Sequence, residues 1–478
     1  MASRPPRSEP DAIVALLSGP GRSDVARFLT RQRWFAAKTR GVQAVAVLDW
    51  AVLDPAVPLL LLLLSVDGDR YYVPIAVAAE AAPEAALAQA DGLAVVDAHD
   101  DPRFGRRLLA TLAAGRTIAG RAGRFHFRPT PEWAFPTDPE AIAVRRLRGE
   151  QSNTSIVVGD LVLKSLRRPG AGLNPDLEMV RFLTTRTSFR HVPRLAGSIE
   201  YEDTALAVMQ EFVPNTGDGW GHVVSALADR ASAAEAPLID DLRRLGAVTG
   251  GLHVALASDE ADPEFRPEPV TAEDVARWRD DIGRDLRADE VRRCLADPTE
   301  ADPGAGALAV LDTMPGALTR IRVHGDYHLG QVLKTADGFV IIDFEGEPAR
   351  PLHERRRKDS ALRDVAGMLR SLDYAAHAAA FRAPEADRAA RLAALTTWEA
   401  RARRAFLDAY HPAALESPAR LVPRDRTAFE RACAPFELQK ACYELRYELD
   451  NRPTWVGIPV AGIGRLLGRA TRRDLSRG

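Results

Sequence analysis

Cysteine is scarce in this chain, with three in 478 residues: Cys294, Cys433 and Cys442. The number is odd and the spacing fits no metal site, which excludes a disulfide framework and a zinc ribbon. A reduced, cytosolic protein is expected, with each thiol acting as a small buried hydrophobe. Net charge is nearly absent, at -2 with a pI near 6.6. No broad field is therefore available to attract nucleic acid or a membrane surface. Long hydrophobic runs are also missing. The most conspicuous, Leu59–Leu64, is far short of the ~20 apolar residues of a spanning helix. Asp67-Gly68-Asp69 follows it, so a buried strand entering a hairpin is expected. Residues 1–10 read as a tail with Pro5, Pro6 and Pro10 and no apolar segment, hence no secretory signal. There is no internal repeat and no low-complexity linker.

What is present is a globular composition, 46% hydrophobic and 27% charged, in a chain long enough for two or three domains. Its most informative stretch is Val323–Gln331, Val-His-Gly-Asp-Tyr-His-Leu-Gly-Gln, followed by Val340-Ile341-Ile342-Asp343-Phe344-Glu345. An Asp sits in a His-Gly-Asp turn, an amide follows five residues later, and a second Asp ends an apolar run. Kinase-like phosphotransfer needs these parts. One carboxylate accepts the proton of the attacking hydroxyl, and an amide and another carboxylate hold magnesium against nucleotide phosphates. Asp326 reads as the base, and Gln331 and Asp343 as Mg²⁺ ligands.

Upstream features match that reading. Ala141–Arg148 and Ser155–Val158 read as strands around the loop Gly149-Glu150-Gln151-Ser152-Asn153-Thr154. Its backbone N–H groups and Ser152, Asn153 and Thr154 suit phosphate oxygens. Lys164 interrupts the apolar strand Leu161–Leu166 and so needs a partner. Glu178 is the expected one, in a helix opened by Asn174 as cap and Pro175 in the first turn. Together they would place the α/β-phosphates of ATP. The strand Ala205–Phe212 runs into Val213-Pro214, a hinge in which Gln210, Glu211 and Val213 would meet the adenine. Helices are predicted from Trp220 on: Trp220–Ala231, Pro237–Ala257, Ala272–Ala288, Gly304–Met314, Leu362–Ala380, Pro384–His411, Asp425–Leu449 and Ile458–Ala470. Asp364 is expected to brace the catalytic loop. In the charged run His353–Asp359 the choice lies between a solvated loop and an arginine that assists phosphate.

At the N-terminus, helical patterns over Asp11–Leu17 and Ser23–Phe35 precede strands Val42–Trp50, Pro58–Val66 and Arg70–Val77. They read as a small α+β module, with Trp34 and Phe35 in its core. A helix Pro102–Ala114 and a hairpin Thr117–Ala119/Phe125–Phe127 come next. The expected organisation is an N-terminal cap over 1–95, a kinase N-lobe over 96–214 and a mainly helical C-lobe over 215–478. This is an α+β, bilobal protein-kinase-like fold.

One late helix separates into two faces at 100° per residue. Leu438, Cys442, Leu445 and Leu449 share one face, which reads as core. Phe436, Lys440, Tyr443, Glu444, Tyr447 and Asn451 share the other. Tyrosine rings with flanking charged hydrogen-bonders suit a sugar, which offers C–H faces and hydroxyls. The alternative is a helix buried on both sides, its tyrosine hydroxyls satisfied internally.

These residues resemble the bacterial maltokinases. The resemblance is carried by His324–Gln331, Asp343-Phe344-Glu345-Gly346-Glu347-Pro348, the segment Arg363–Tyr374, Gly149–Ser155, Gln210–Val213, Tyr443-Glu444, Asn451–Trp455 and Arg33-Trp34-Phe35. It implies ATP-dependent phosphorylation of maltose at the anomeric hydroxyl for α-glucan synthesis, by a two-lobed kinase with an N-terminal cap. It also implies that Lys440, Tyr443 and Tyr447 contact the sugar. Gln439 departs from the pattern, which has an acidic residue there. The related glucosamine kinases share most catalytic parts, but an ammonium such as Lys440 would repel an amino sugar. A non-catalytic partner of trehalose synthase is a further reading, disfavoured by the presence of Lys164, Asp326, Gln331 and Asp343. A monomer is expected, with neither nucleic acid nor membrane as partner.

Overall fold

The computed structural model describes residues 9–35, 41–54, 56, 58–79, 81–82, 84–90, 93–147, 152–228, 235–294, 304–347 and 350–468. The expected loop residues Gly149, Glu150 and Gln151 lie outside them. Two compact units are formed, one by residues 1–181 with 193–212 and one by 182–192 with 213–478.

The first unit begins with α1 (Pro10–Ser18) and α2 (Arg22–Arg31). A six-stranded antiparallel sheet follows: β1 (Val45–Asp54), β2 (Leu59–Val66), β3 (Asp69–Tyr72), β4 (Ile75–Ala78), β5 (Ala86–Ala90) and β6 (Leu93–Asp97). Its order is β1-β2-β4-β6-β5, with β3 paired to β2. The leucine run is β2, and all six leucines are buried. Alternate side chains of a strand point to opposite faces. Leu60, Leu62 and Leu64 accordingly pack with Ile13, Phe28, Trp34 and Phe35. Leu59, Leu61 and Leu63 join a second core with Phe104, Leu108, Ile156, Leu163 and Met209. A strand covered on both faces reads as a continuous apolar run.

That second core lies between the first sheet, α3 (Pro102–Ala113) and a seven-stranded antiparallel sheet. The strands are β7 (Thr117–Ala119), β8 (Arg124–Pro129), β9 (Val144–Arg146), β10 (Thr154–Val158), β11 (Leu161–Ser165), β12 (Leu195–Tyr201) and β13 (Thr204–Glu211), in the order β7-β8-β12-β13-β11-β10-β9. The strand expected over 141–148 is shorter, because a 3-10 turn at Pro139–Ala141 precedes it. The helix α4 (Pro175–Arg186) follows β11, and its residues through Arg181 belong to this unit.

The second unit is helical around two small two-stranded sheets. In chain order it has α5 (Gly219–Ala228), α6 (Glu235–Leu256), β14 (Glu268–Pro269), α7 (Ala272–Arg287), α8 (Asp289–Cys294), α9 (Ala305–Leu308) and β15 (Thr319–Arg320). Then come β16 (Val332–Lys334), β17 (Phe339–Ile341), α10 (Leu352–Arg355), α11 (Leu362–Phe381), α12 (Arg388–Ala414), α13 (Arg426–Asn451) and α14 (Gly457–Leu467). The helix expected over 304–314 is one α-turn followed by a 3-10 segment, Ala309–Thr313, in keeping with the low helix propensity of Gly306. By contrast α13 runs unbroken through Pro435. Proline removes one helix hydrogen bond, but Ala432, Cys433, Phe436 and Leu438 around it are all buried, and this packing holds the helix. Among the described residues no helix is long and apolar enough to cross a membrane.

Candidate active site

The His324-Gly325-Asp326 stretch is held by α11, beneath it. Asp364, in the first turn of that helix, accepts the backbone N–H of His324 at 2.7 Å and of Gly325 at 2.9 Å. It also takes a hydrogen bond from His253 Nε2 at 3.1 Å. Burial pushes the Asp364 carboxyl up, yet the His253 contact, nearby imidazole charge and the Gly325 N–H outweigh it and hold the carboxyl below its ordinary range. One turn on, a Cβ at residue 367 would lie 2.5 Å from the Tyr327 carbonyl oxygen, so Gly367 lets the helix approach. His324 is 1% exposed, and its Nε2 lies 3.0 Å from the Ile342 carbonyl oxygen. The histidine of the turn is therefore a strut, and Asp326 is the residue it presents.

The Gln331–Asp343 pair is assembled by a hairpin. β16 and β17 pair in the register Val332↔Ile341, and just beyond it the Ile342 N–H donates to the Gln331 carbonyl at 3.0 Å, which brings Asp343 next to Gln331. Gln331 Nε2 donates to Asp343 Oδ2 at 3.2 Å. Asp343 has φ 66°, a left-handed conformation that few residues other than glycine and Asn/Asp tolerate. Such strain gathers at functional sites. The amide oxygen of Gln331 and the carboxylate of Asp343 are hard oxygen donors of the type that suits Mg²⁺.

α13 (Arg426–Asn451) brings Lys440 to Asp326. Lys440 Nζ donates to Asp326 Oδ1 at 3.1 Å and to Glu347 Oε1 at 2.9 Å. It also lies 4.9 Å from the centroid of the Tyr443 ring. Burial pulls the ammonium pKa down, but Glu347 and Asp326 outweigh it and raise it above its ordinary value. Glu347 is the converse case. Burial pushes its carboxyl up, and the charges of Lys440 and Arg350 bring it down to about 2. Lys440, Tyr443, Glu444 and Tyr447 line a cavity of about 320 Å³ together with Trp220 and Tyr374. That volume is at the small end of the ~300–1,000 Å³ of small-molecule sites. A second cavity, about 70 Å³, is lined by Asp326 and Glu347 and shares Lys440, Tyr443 and Gly367 with the first.

The helix-face assignment needs two corrections. Phe436, placed by angle with the sugar-facing residues, is buried edge-on against Trp278 of α7. Leu449, placed on the core face, is 38% exposed. Angle gives a direction around the axis, whereas burial depends on which neighbours reach each end of the helix. Gln439 is buried, and its Oε1 accepts from Arg363 Nη1 at 2.9 Å. An amide oxygen here does the accepting that an acidic side chain would. Glu444 takes two hydrogen bonds from Arg370, at 2.9 and 2.7 Å. The charged run after the site is mostly tied down: Lys358 binds Glu268 and the Pro263 carbonyl, Arg356 binds Glu264, and Arg355 the Glu345 carbonyl.

In the first unit, Lys164 Nζ donates to Asp176 Oδ2 at 3.1 Å. Asp176 is 1% exposed and lies in the first turn of α4, where the Asn174 side chain accepts the Leu177 N–H. Glu178, two residues further on, is buried in the same helix. Ser152 is exposed and Asn153 half-buried. Thr154, expected at the phosphates, is buried with its hydroxyl accepting from Arg167 Nε at 2.8 Å. At the hinge, Gln210 pairs with Val162 and Leu195, and the Glu211 and Phe212 amides donate to Arg194 O and Asp160 O. The Val213 carbonyl accepts from Asn215 Nδ2.

Two carboxylates escaped the sequence reading. Asp176 was legible in principle as a first-turn acid beside the cap. Glu347 was not, since it meets Lys440 from 93 residues away.

A braced His-Gly-Asp turn, a Gln/Asp pair and a strand lysine held by a helix carboxylate are the parts of a protein-kinase-like phosphotransferase. Comparison with known proteins agrees. The maltokinase N-terminal cap domain matches residues 28–101, and the phosphotransferase enzyme family matches residues 143–346. A glucosamine kinase of Streptacidiphilus jiangxiensis is 30% identical over 363 residues, covering 71% of this chain and 78% of the relative. Another, from Mycolicibacterium smegmatis, is 30% identical over 359 residues, covering 71% and 82%. The solved structure of a glucosamine kinase in complex with glucosamine, ADP and inorganic phosphate covers 93% of this chain and 98% of its own. It has a TM-score of 0.66 at 23% identity, which shows the shared fold. The chain belongs to the phosphotransferase enzyme family and carries the maltokinase N-terminal cap domain.

Proposed function

We propose that this protein is a cytosolic, ATP-dependent maltokinase. It would transfer the γ-phosphoryl group of ATP to the anomeric hydroxyl of maltose, giving maltose 1-phosphate and ADP for α-glucan synthesis. The observation that carries this reading is the contact of Lys440 with Asp326, which ties the aromatic-walled cavity to the candidate base. Asp326 takes the proton of the C1 hydroxyl, a step worth about 10²–10⁴ in rate. Lys164, held by Asp176, binds the α- and β-phosphates, with Glu178 in the same helix and Ser152 and Asn153 at the phosphate loop. Gln210, Glu211 and Val213 border the adenine. Gln331 and Asp343 are the residues that hold Mg²⁺, which when bound neutralises charge on the phosphates.

The charges of the cavity support a neutral acceptor. Glu444 is already held by Arg370, and Glu448 by Arg452 at 2.9 and 2.6 Å. Lys440 adds a half-buried ammonium beside the base. An amino sugar would bring a second cation next to it. A second reading, glucosamine as acceptor, is favoured by the two glucosamine kinases at 30% identity.

A coupled ADP-release assay with maltose, glucose, glucosamine and an aminoglycoside decides between them. Maltose should give the highest kcat/KM. Preference for glucosamine would replace the first reading by the second. No release with any acceptor would leave only a non-catalytic partner of an enzyme such as trehalose synthase.

A further inference from the structure

Lys440 poses a difficulty for the proposed chemistry. A general base must hold a lone pair for the incoming proton, and a lysine paired to it alone lowers its proton affinity. Here the ammonium is shared. It contacts Asp326 only through Oδ1, and Glu347 Oε1 is the nearer of its two acceptors, at 2.9 Å against 3.1 Å. Among the described residues no hydrogen bond reaches Asp326 Oδ2. Glu347 is itself fixed, since its Oε2 accepts from Arg350 Nε at 2.6 Å.

The backbone sets this arrangement in advance. Gly346 precedes Glu347 in a left-handed conformation, φ 72°. A Cβ at residue 325 would lie 3.5 Å from the Gly346 Cα, so the segment carrying Glu347 packs directly on the turn carrying Asp326. The other cations lining the small cavity have partners of their own: Arg350 with Glu347, Arg363 with Asp359 and Gln439, and Arg446 with Asp285.

We propose that Glu347 is a positioning residue that divides the Lys440 ammonium between two carboxylates, so that Lys440 orients Asp326 without quenching it as the base. The inference rests on Asp326 being that base. With Glu347 neutral, Lys440 becomes the full counter-ion of Asp326, and proton acceptance slows. With Lys440 also neutral, Asp326 is unquenched though less well oriented, so the two losses do not multiply.

The test is a double-mutant cycle read as kcat at saturating ATP and acceptor. Glu347→Gln should lower kcat about ten-fold, a fraction of the ~10²–10⁴ that a positioned base contributes, with the KM for ATP within about two-fold. Glu347→Asp, which keeps the charge, should recover part of the loss. Lys440→Met alone should lower kcat through lost orientation of Asp326, and Glu347→Gln/Lys440→Met should lose clearly less than the product of the two single losses, a departure from additivity. Wild-type kcat in Glu347→Gln, or losses that multiply in the double variant, overturns the inference. If Glu347→Gln does not fold, Glu347→Ala with and without Lys440→Met removes the same charge and gives the same cycle. Asp326→Asn separates the two levels of the argument. An active Asp326→Asn removes the base and this inference together. An inactive one, beside an unimpaired Glu347→Gln, removes the inference alone.

Discussion

Asp364 accepts the backbone N–H of Gly325 at 2.9 Å through one oxygen, and through the other it accepts that of His324 at 2.7 Å. A single buried carboxylate thus fixes both peptides ahead of Asp326. Asp364→Asn keeps the size and turns one acceptor oxygen into a donor facing an N–H. Leaving one buried donor unsatisfied costs about 1–3 kcal/mol. Urea unfolding should show a loss of that order, and kcat should fall because the turn no longer holds Asp326 in place. Unchanged stability and rate would mean that the turn is held elsewhere.

Much of this site is readable from local sequence because its parts are local. The His-Gly-Asp turn, Gln331 and Asp343 lie within 20 residues, and one hairpin joins them. Helical angle gathered Lys440, Tyr443, Glu444 and Tyr447, which do line one cavity. What stayed hidden depends on distant chain. Glu347 reaches Lys440 only after folding, and Phe436 is buried only because Trp278 of α7 lies beside it. Lys164 shows a subtler limit: two carboxylates two residues apart were available, and spacing alone did not reveal that Asp176 would contact it. The leucine run of β2 was recognisable as a strand, but its two separate cores were not, since they require knowing what covers each face.

The Gln331–Asp343 contact leads to a metal prediction. Loss of even an outer-shell partner weakens a metal site about 10–100-fold. Asp343→Asn should raise the Mg²⁺ concentration for half-maximal rate by at least that much. Gln331→Ala should do so to a smaller degree, because a neutral amide contributes less to a hard dication than a carboxylate does. Titration of the initial rate with Mg²⁺ at fixed ATP measures both. Identical Mg²⁺ curves for wild type and Asp343→Asn would rule out the assignment.

The tyrosines of α13 should differ in their effect on acceptor binding. Tyr443 lies beneath the Lys440 ammonium and borders both cavities, whereas Tyr447 is 46% exposed beside Arg452. Tyr443→Ala should raise the KM for the sugar about ten-fold, equivalent to ~1.4 kcal/mol, with the KM for ATP unchanged. Tyr447→Ala should cost less, because an exposed ring loses less contact on removal. Steady-state kinetics with each substrate varied would show the split. A rise in both constants for Tyr443→Ala would indicate a general disturbance of the site.

His99 supplies a pH-dependent stability that can be isolated. It is buried between Asp97, 2.6 Å from its Nδ1, and Ser165, 2.7 Å from its Nε2, with Arg167 also at its Nδ1. Burial first, and the Arg167 charge second, push the imidazole down to about 4, against the opposing pull of Asp97. His99 is therefore neutral in the folded protein at pH 7. In the unfolded chain it takes up a proton as pH falls below about 6.5. Between those values the unfolded state binds more protons, so stability decreases as pH is lowered and levels off below about 4. At ~1.36 kcal/mol per unit the full effect is about 3 kcal/mol. His99→Gln keeps a hydrogen-bonding side chain that does not titrate. The stability difference between wild type and variant should then shift by about that amount from pH 7 to pH 4, as read by urea unfolding at each pH. Other groups titrate in both proteins and cancel in the difference. Parallel stability curves would show that His99 titrates in the fold as it does in the unfolded chain, with Asp97 offsetting burial and Arg167.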